Sequence, residues 1–207
     1  SVNHRLNVLG SLDVSPFGEK YQDSANAGNL DLIAALEWIR DNIEGFGGDP
    51  ENVTLFGQSG GGVKVWSLLQ MPEADGLFHK GIIESGVVDP DLLGDTEDGN
   101  GREVVKAMLA ELGLEEKDVD QLETLPYDQL AQAYENAAPK VAQKGEYVGN
   151  HPHKNQSYFG DAIKHGFREE TKKIPLLIGT VLGEFDFGPA ISGKYEFTKK
   201  EVEEKVS

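Results

Sequence analysis

Short apolar runs separated by amphipathic stretches of helix length constrain this chain more than any other feature. The strand-like runs are Asn52 to Phe56, "KGIIES" and "IPLLIGTV". Upstream of the first, "GNLDLIAALEWIRDNIE" (Gly28 to Glu44) places Leu32, Ala35, Leu36, Ile39 and Ile43 at three- and four-residue spacing, the period of a helix with one apolar face. "GFGGDP" then stops that helix with glycine and proline. A second helix follows the Asn52 strand to about Gln70 and ends near Pro72. Short strands that alternate with helices predict a largely parallel α/β sheet, because parallel neighbours need crossover connections.

Beyond "KGIIES" the pattern changes. Asp89 to Ala138 reads as helical and loop-rich, with helices near Glu103 to Leu112 and Asp128 to Ala137. "KGEYVGNHPHKNQSYFGD" has neither helical nor alternating period and reads as a long loop of the kind that lines sites. "IPLLIGTV" reads as a third buried strand, and "SVNHRL" as a strand already under way. The organisation expected is an α/β core over 1–88, a helical and loop-rich insertion over 89–173, and a return to the core over 174–207, ending in the start of a helix.

Charge and composition exclude several classes of function. With 36 acidic against 19 basic side chains the net charge is −17, which repels the phosphate backbone that nucleic-acid proteins meet with lysine and arginine. No run approaches the roughly 18 apolar residues of a membrane span. The acidic excess is scattered and reads as a solvated surface. There are no cysteines, so no disulfide framework or thiolate metal site exists. A cytoplasmic location is expected, with secretion left open because the first residue is Ser1 and a signal could lie upstream.

The chemistry is concentrated in "VTLFGQSGGGVKVW", Val53 to Trp66. A G-x-S-x-G alone is weak in a chain with 25 glycines, so its setting must carry the claim. Here Gly57-Gln58-Ser59-Gly60-Gly61 follows a strand and precedes a helix. In that setting a serine is held on a strained turn, and small neighbours let the backbone pass without a clash. The helix beneath Ser59 offers unpaired N–H groups and a positive dipole end, with the N–H of Gly60 as the natural first donor to an oxyanion.

"GFGGDPENVTLFGQSGGG" followed by "MPEADGLFHKGIIESG" resembles the type B carboxylesterases, the α/β-hydrolase family of cholinesterases and bacterial para-nitrobenzyl esterases. The match continues through "VNHRL", Asn26, Gly28, Leu30 and Asp31, and returns at "IPLLIGT". It is strong over 2–86, patchy over 89–173 and clear again to Thr180. Two positions depart from the family: Gln58 stands where it has Glu, and Gly60 where it has Ala. The first removes a carboxylate beside the serine; the second keeps the backbone donor.

The resemblance implies an incomplete α/β-hydrolase fold and two-step hydrolysis of small-molecule carboxylic esters, with no metal or organic cofactor. Alignment on "IGT" puts the family's acid on Glu184, with Asp186 as the alternative, because Gly183 and Phe185 replace the usual neighbours. A carboxylate at the C-terminal end of a parallel strand stands where open α/β sheets place their sites, and it could orient an imidazolium. Ser85, after "KGIIE", should stand on the same sheet edge as Ser59, either bonding within the site or capping a turn.

All five histidines, His4, His79, His151, His153 and His165, precede Glu184, whereas the family's base follows its acid. His4 and His79 read as structural and His165 as a helix-surface residue. His151 and His153 form an H-x-H pair that lacks a third metal ligand in view. The base and the upstream oxyanion loop are therefore expected outside these 207 residues, in the remainder of the same polypeptide. By itself the segment is expected to be inactive. Bacterial origin is inferred from the absent cysteines, since the secreted animal relatives use disulfides. The rival reading is a non-catalytic, cholinesterase-like adhesion protein. Tyr147, Tyr158 and Phe159 either line a pocket or pack as a satellite core.

Overall fold

A computed structural model describes residues 1–89, 99–149 and 152–184, together with 198 and 200. Its centre is a sheet of three parallel strands, β1 (Thr54–Gln58), β2 (Lys80–Glu84) and β3 (Leu176–Gly179), in the order β1-β2-β3. The register pairs Gln58 with Glu84 and Glu84 with Gly179, so the three C-terminal strand ends are level. Between β1 and β2 the chain crosses over through helix α3 (Gly60–Leu68), which packs on both strands; α2 (Ala27–Asn42) lies against α3. Ile33, Leu36, Val65, Leu69, Met71, Phe78 and Ile83 form the core between these helices and the sheet.

The connection from β2 to β3 holds α4 (Arg102–Glu111), a 3-10 segment (Glu116–Glu123), α5 (Tyr127–Ala142) and the short α6 (Ala162–His165). Val104, Val105, Met108, Leu109, Leu130 and Ala137 build a second core there. Val8 and Leu12, from the neighbourhood of the short α1 (Asn7–Ser11), complete it from the N-terminal side. No helix among the described residues is long and apolar enough to cross a membrane.

Three sequence expectations need correction. Residues 1–6 are not a strand: Leu6 is extended, but this segment has no ladder partner among the described residues, and extended backbone becomes a strand only by pairing. β3 is not a buried strand, because Leu177 is 67% and Ile178 46% exposed at the sheet's edge. Helix α5 runs on to Ala142 through Pro139, held by the buried Ala138 and Val141 beyond the point where the apolar period fades. Asp186 and His151 lie outside the described residues.

Candidate active site

Ser59 sits between β1 and α3 with φ 52° and ψ −121°, a conformation that an L-residue adopts only under strain. Two backbone bonds hold it there. Its N–H donates to the Glu84 carbonyl at 2.8 Å, and its own carbonyl accepts the Val63 N–H at 2.9 Å. The glycines around it divide sharply in what they permit. A Cβ at Gly57 would lie 2.3 Å from the Gly61 carbonyl group, and one at Gly62 would lie 2.8 Å from Gly86 Cα, whereas one at Gly60 or Gly61 would meet nothing within 4 Å. Side chains are thus excluded where the strand, the turn and the end of β2 cross, while the first turn of α3 is left bare. Ser59, Gly60 and Gly61 are exposed, and the first N–H groups of α3 have no acceptor within the helix.

The neighbouring strand repeats the pattern. Ser85 follows β2 with φ 52°, and its N–H donates to the Gly179 carbonyl at 2.7 Å. The register Gln58, Glu84, Gly179 therefore sets Ser59, Ser85 and Thr180 side by side at one edge of the sheet. Glu184 returns to this edge on a turn after β3, where its Oε1 accepts the Val181 N–H at 3.0 Å. The Ser85 hydroxyl nearby and the Val181 bond lower the Glu184 pKa below the ordinary glutamate value. Exposed Gln58 ends β1 next to Ser59.

Each described histidine is placed elsewhere. The Nδ1 of His79 accepts the Val53 N–H at 3.2 Å, and its Nε2 lies 3.8 Å from Glu51. His153 packs its ring 4.8 Å from that of Tyr147, and its N–H donates to Asn26. His165 is exposed at the end of α6. His4 is half-buried, and desolvation, with the nearby charge of Lys64, lowers its pKa. Tyr147 and Tyr158 are buried, Tyr158 in the core behind α3, and Phe159 is half exposed beneath the Arg168 guanidinium.

The aperiodic loop is tied down around Asn155. The Asn155 carboxamide oxygen accepts from Asn26 Nδ2 and from the N–H groups of Ser157 and Tyr158, at 2.9 to 3.0 Å. Its Nδ2 donates to the Gln22 carbonyl and the Asp23 carboxylate. Further along, Trp66 on α3 donates its indole N–H to Asp161, the N-cap of α6. No periodicity could reveal this clasp; the visible sign was an Asn two residues before a Ser, the spacing of an Asx turn.

Comparison with known proteins identifies the family. The model of the carboxylesterase family matches residues 1–207. The para-nitrobenzyl esterase of Bacillus subtilis is 38% identical over 194 residues, covering 89% of this chain and 36% of its own. An esterase of Clostridium hathewayi, described as hydrolysing aliphatic aromatic polyesters, is 51% identical with a TM-score of 0.87, over 99% of this chain and 40% of its own. A Geobacillus stearothermophilus carboxylesterase is 30% identical with a TM-score of 0.72, over 99% of this chain and 41% of its own. The three-stranded sheet and its helices are therefore part of an α/β-hydrolase fold, and the chain spans about two fifths of the length of these relatives.

Proposed function

Because this chain belongs to the carboxylesterase family, we propose that it carries the nucleophile and the acid of a serine esterase, Ser59 and Glu184. One observation supports this above the rest: two residues 125 positions apart in sequence emerge at the same sheet edge, on either side of Ser85, whose hydroxyl lowers the Glu184 pKa. Two strand spacings, roughly 10 Å, separate their strands, which leaves room for an imidazole between the side chains.

In this reading Ser59 Oγ attacks the ester carbonyl as a histidine from outside these 207 residues takes its proton. The oxyanion accepts from the Gly60 N–H, and the histidine returns the proton to the departing alcohol. Water, activated by the same histidine, then releases the acid from the acyl-enzyme. Glu184, kept ionised by Ser85 and Val181, orients the histidine and stabilises its cation. Small carboxylic esters are the substrates proposed, with para-nitrobenzyl esters and aliphatic aromatic polyesters the first to try.

The test is labelling with a fluorophosphonate of the protein made from its complete reading frame, with Ser59→Ala as control. An adduct on the Ser59 peptide, absent from the control, is expected. Folded protein without an adduct would sink the esterase reading and leave a binding protein. Without its base the 207-residue segment should turn over on the order of a millionfold more slowly.

A further inference from the structure

The first turn of α3, just after Ser59, carries no side chain of its own. Gly60, Gly61 and Gly62 open α3, and three glycines there give up helix propensity and supply no side chain for packing. The first polar side chain to leave this helix is Lys64. Its Nζ donates to Asn29 Oδ1 of α2 at 2.9 Å. Asn29 is 1% exposed, and its Nδ2 is buried without a hydrogen-bond partner. Helix side chains lean toward the N-terminus, so the ammonium reaches back toward the serine turn, within about 10 Å of it by helix geometry.

This is a costly place for a cation. Two helix N-termini, each a positive dipole end, lie nearby, and Lys64 is drawn far enough from solvent that burial lowers its pKa. The charged and titratable groups that face it are Asp31 on α2, which opposes that fall, and His4 on the N-terminal segment, while Arg5 is held by Asp31. An apolar side chain could pack α3 on α2 without that cost, so packing alone does not explain a lysine.

We propose that Lys64 is a positioning residue for the serine turn: bonded to Asn29, it pins the bare first turn of α3 to α2 and holds a positive charge behind the oxyanion that forms at Ser59. The charge acts through the electrostatic field, without touching substrate. This inference rests on the esterase reading.

At an effective dielectric of about 20, a unit charge roughly 10 Å from a developing anion changes a rate on the order of tenfold. In the full-length protein Lys64→Met should therefore lower kcat about tenfold and leave KM unchanged, while Lys64→Arg should stay near wild type. The sign with pH follows from the lowered pKa. The charge is present below that value and lost above it, so wild-type kcat should fall on the alkaline side. Asn29→Asp adds a counter-charge and should move that fall to higher pH. It provides a second readout if Lys64→Met does not fold.

Unchanged kcat in Lys64→Met would overturn the proposal, as would equal losses in the Met and Arg variants or an alkaline limb that Asn29→Asp does not move. Fluorophosphonate labelling of wild-type Ser59 is the separate check. No adduct there overturns the esterase reading, whereas an adduct with kcat indifferent to Lys64 overturns only this inference.

Discussion

At Gly86 a single methyl group has no room, since its carbon would lie 2.4 Å from Gly62 Cα and 2.5 Å from Gly62 C, both backbone atoms that cannot turn aside. Gly60, two residues upstream of Gly62, has open space instead. Gly86→Ala is expected to cost about 3 kcal/mol or more, or to prevent folding, because α3 must move off the end of β2. Gly60→Ala should leave stability unchanged or slightly raised, since alanine forms helix better than glycine. Denaturant unfolding of both variants decides it, and a Gly86→Ala protein as stable as wild type would show that the close approach is not required. The sequence displayed the serine and its glycines as one motif but did not rank them. The ranking depends on Gly62 meeting Gly86 across 24 residues, a contact that neither local pattern contains. Lys64 was obscure for the same reason, since its partner Asn29 lies 35 residues away.

Among the elements, the strands and long helices were legible because each advertises a period or a bounded apolar run. β1 was misplaced by two residues, since a turn glycine and Gln58 belong to its ladder. The clasp around Asn155 was not legible, as five polar bonds leave no hydrophobic trace. It joins the loop after α5 to the residues before α2. Asn155→Ala would strip partners from Asn26, from Asp23 and from two backbone N–H groups at once. A loss on the order of 2 to 4 kcal/mol is expected, concentrated in that loop. Limited proteolysis should then cut between residues 144 and 160 while α2, α3 and the sheet stay protected. A variant as resistant as wild type would mean that the Tyr147 and Tyr158 packing holds the loop without the clasp.

For the whole molecule, the sheet poses the sharpest physical problem. One face is covered by α3, but on the other the register lines up Phe56, Ile82 and Leu177, with Phe56 76% and Leu177 67% exposed. Among the described residues β1 and β3 pair only with β2, so both outer edges carry unpaired backbone groups beside this apolar row. Open edges and exposed apolar faces favour association. Against them stands the net charge of −17, whose repulsion acts at longer range than the apolar contact. Salt separates the two forces, because the screening length falls from about 10 Å at 0.1 M to about 3 Å at 1 M while apolar attraction persists. The 207-residue chain made alone is therefore expected to remain monomeric at low salt and to associate as salt rises. The double variant Phe56→Lys and Leu177→Lys should associate less, even though its added positive charges reduce the net repulsion. Sedimentation across a salt series reads this directly. Association that weakens with salt would point to charge pairing between chains, and association unchanged in the double variant would clear this face of the sheet.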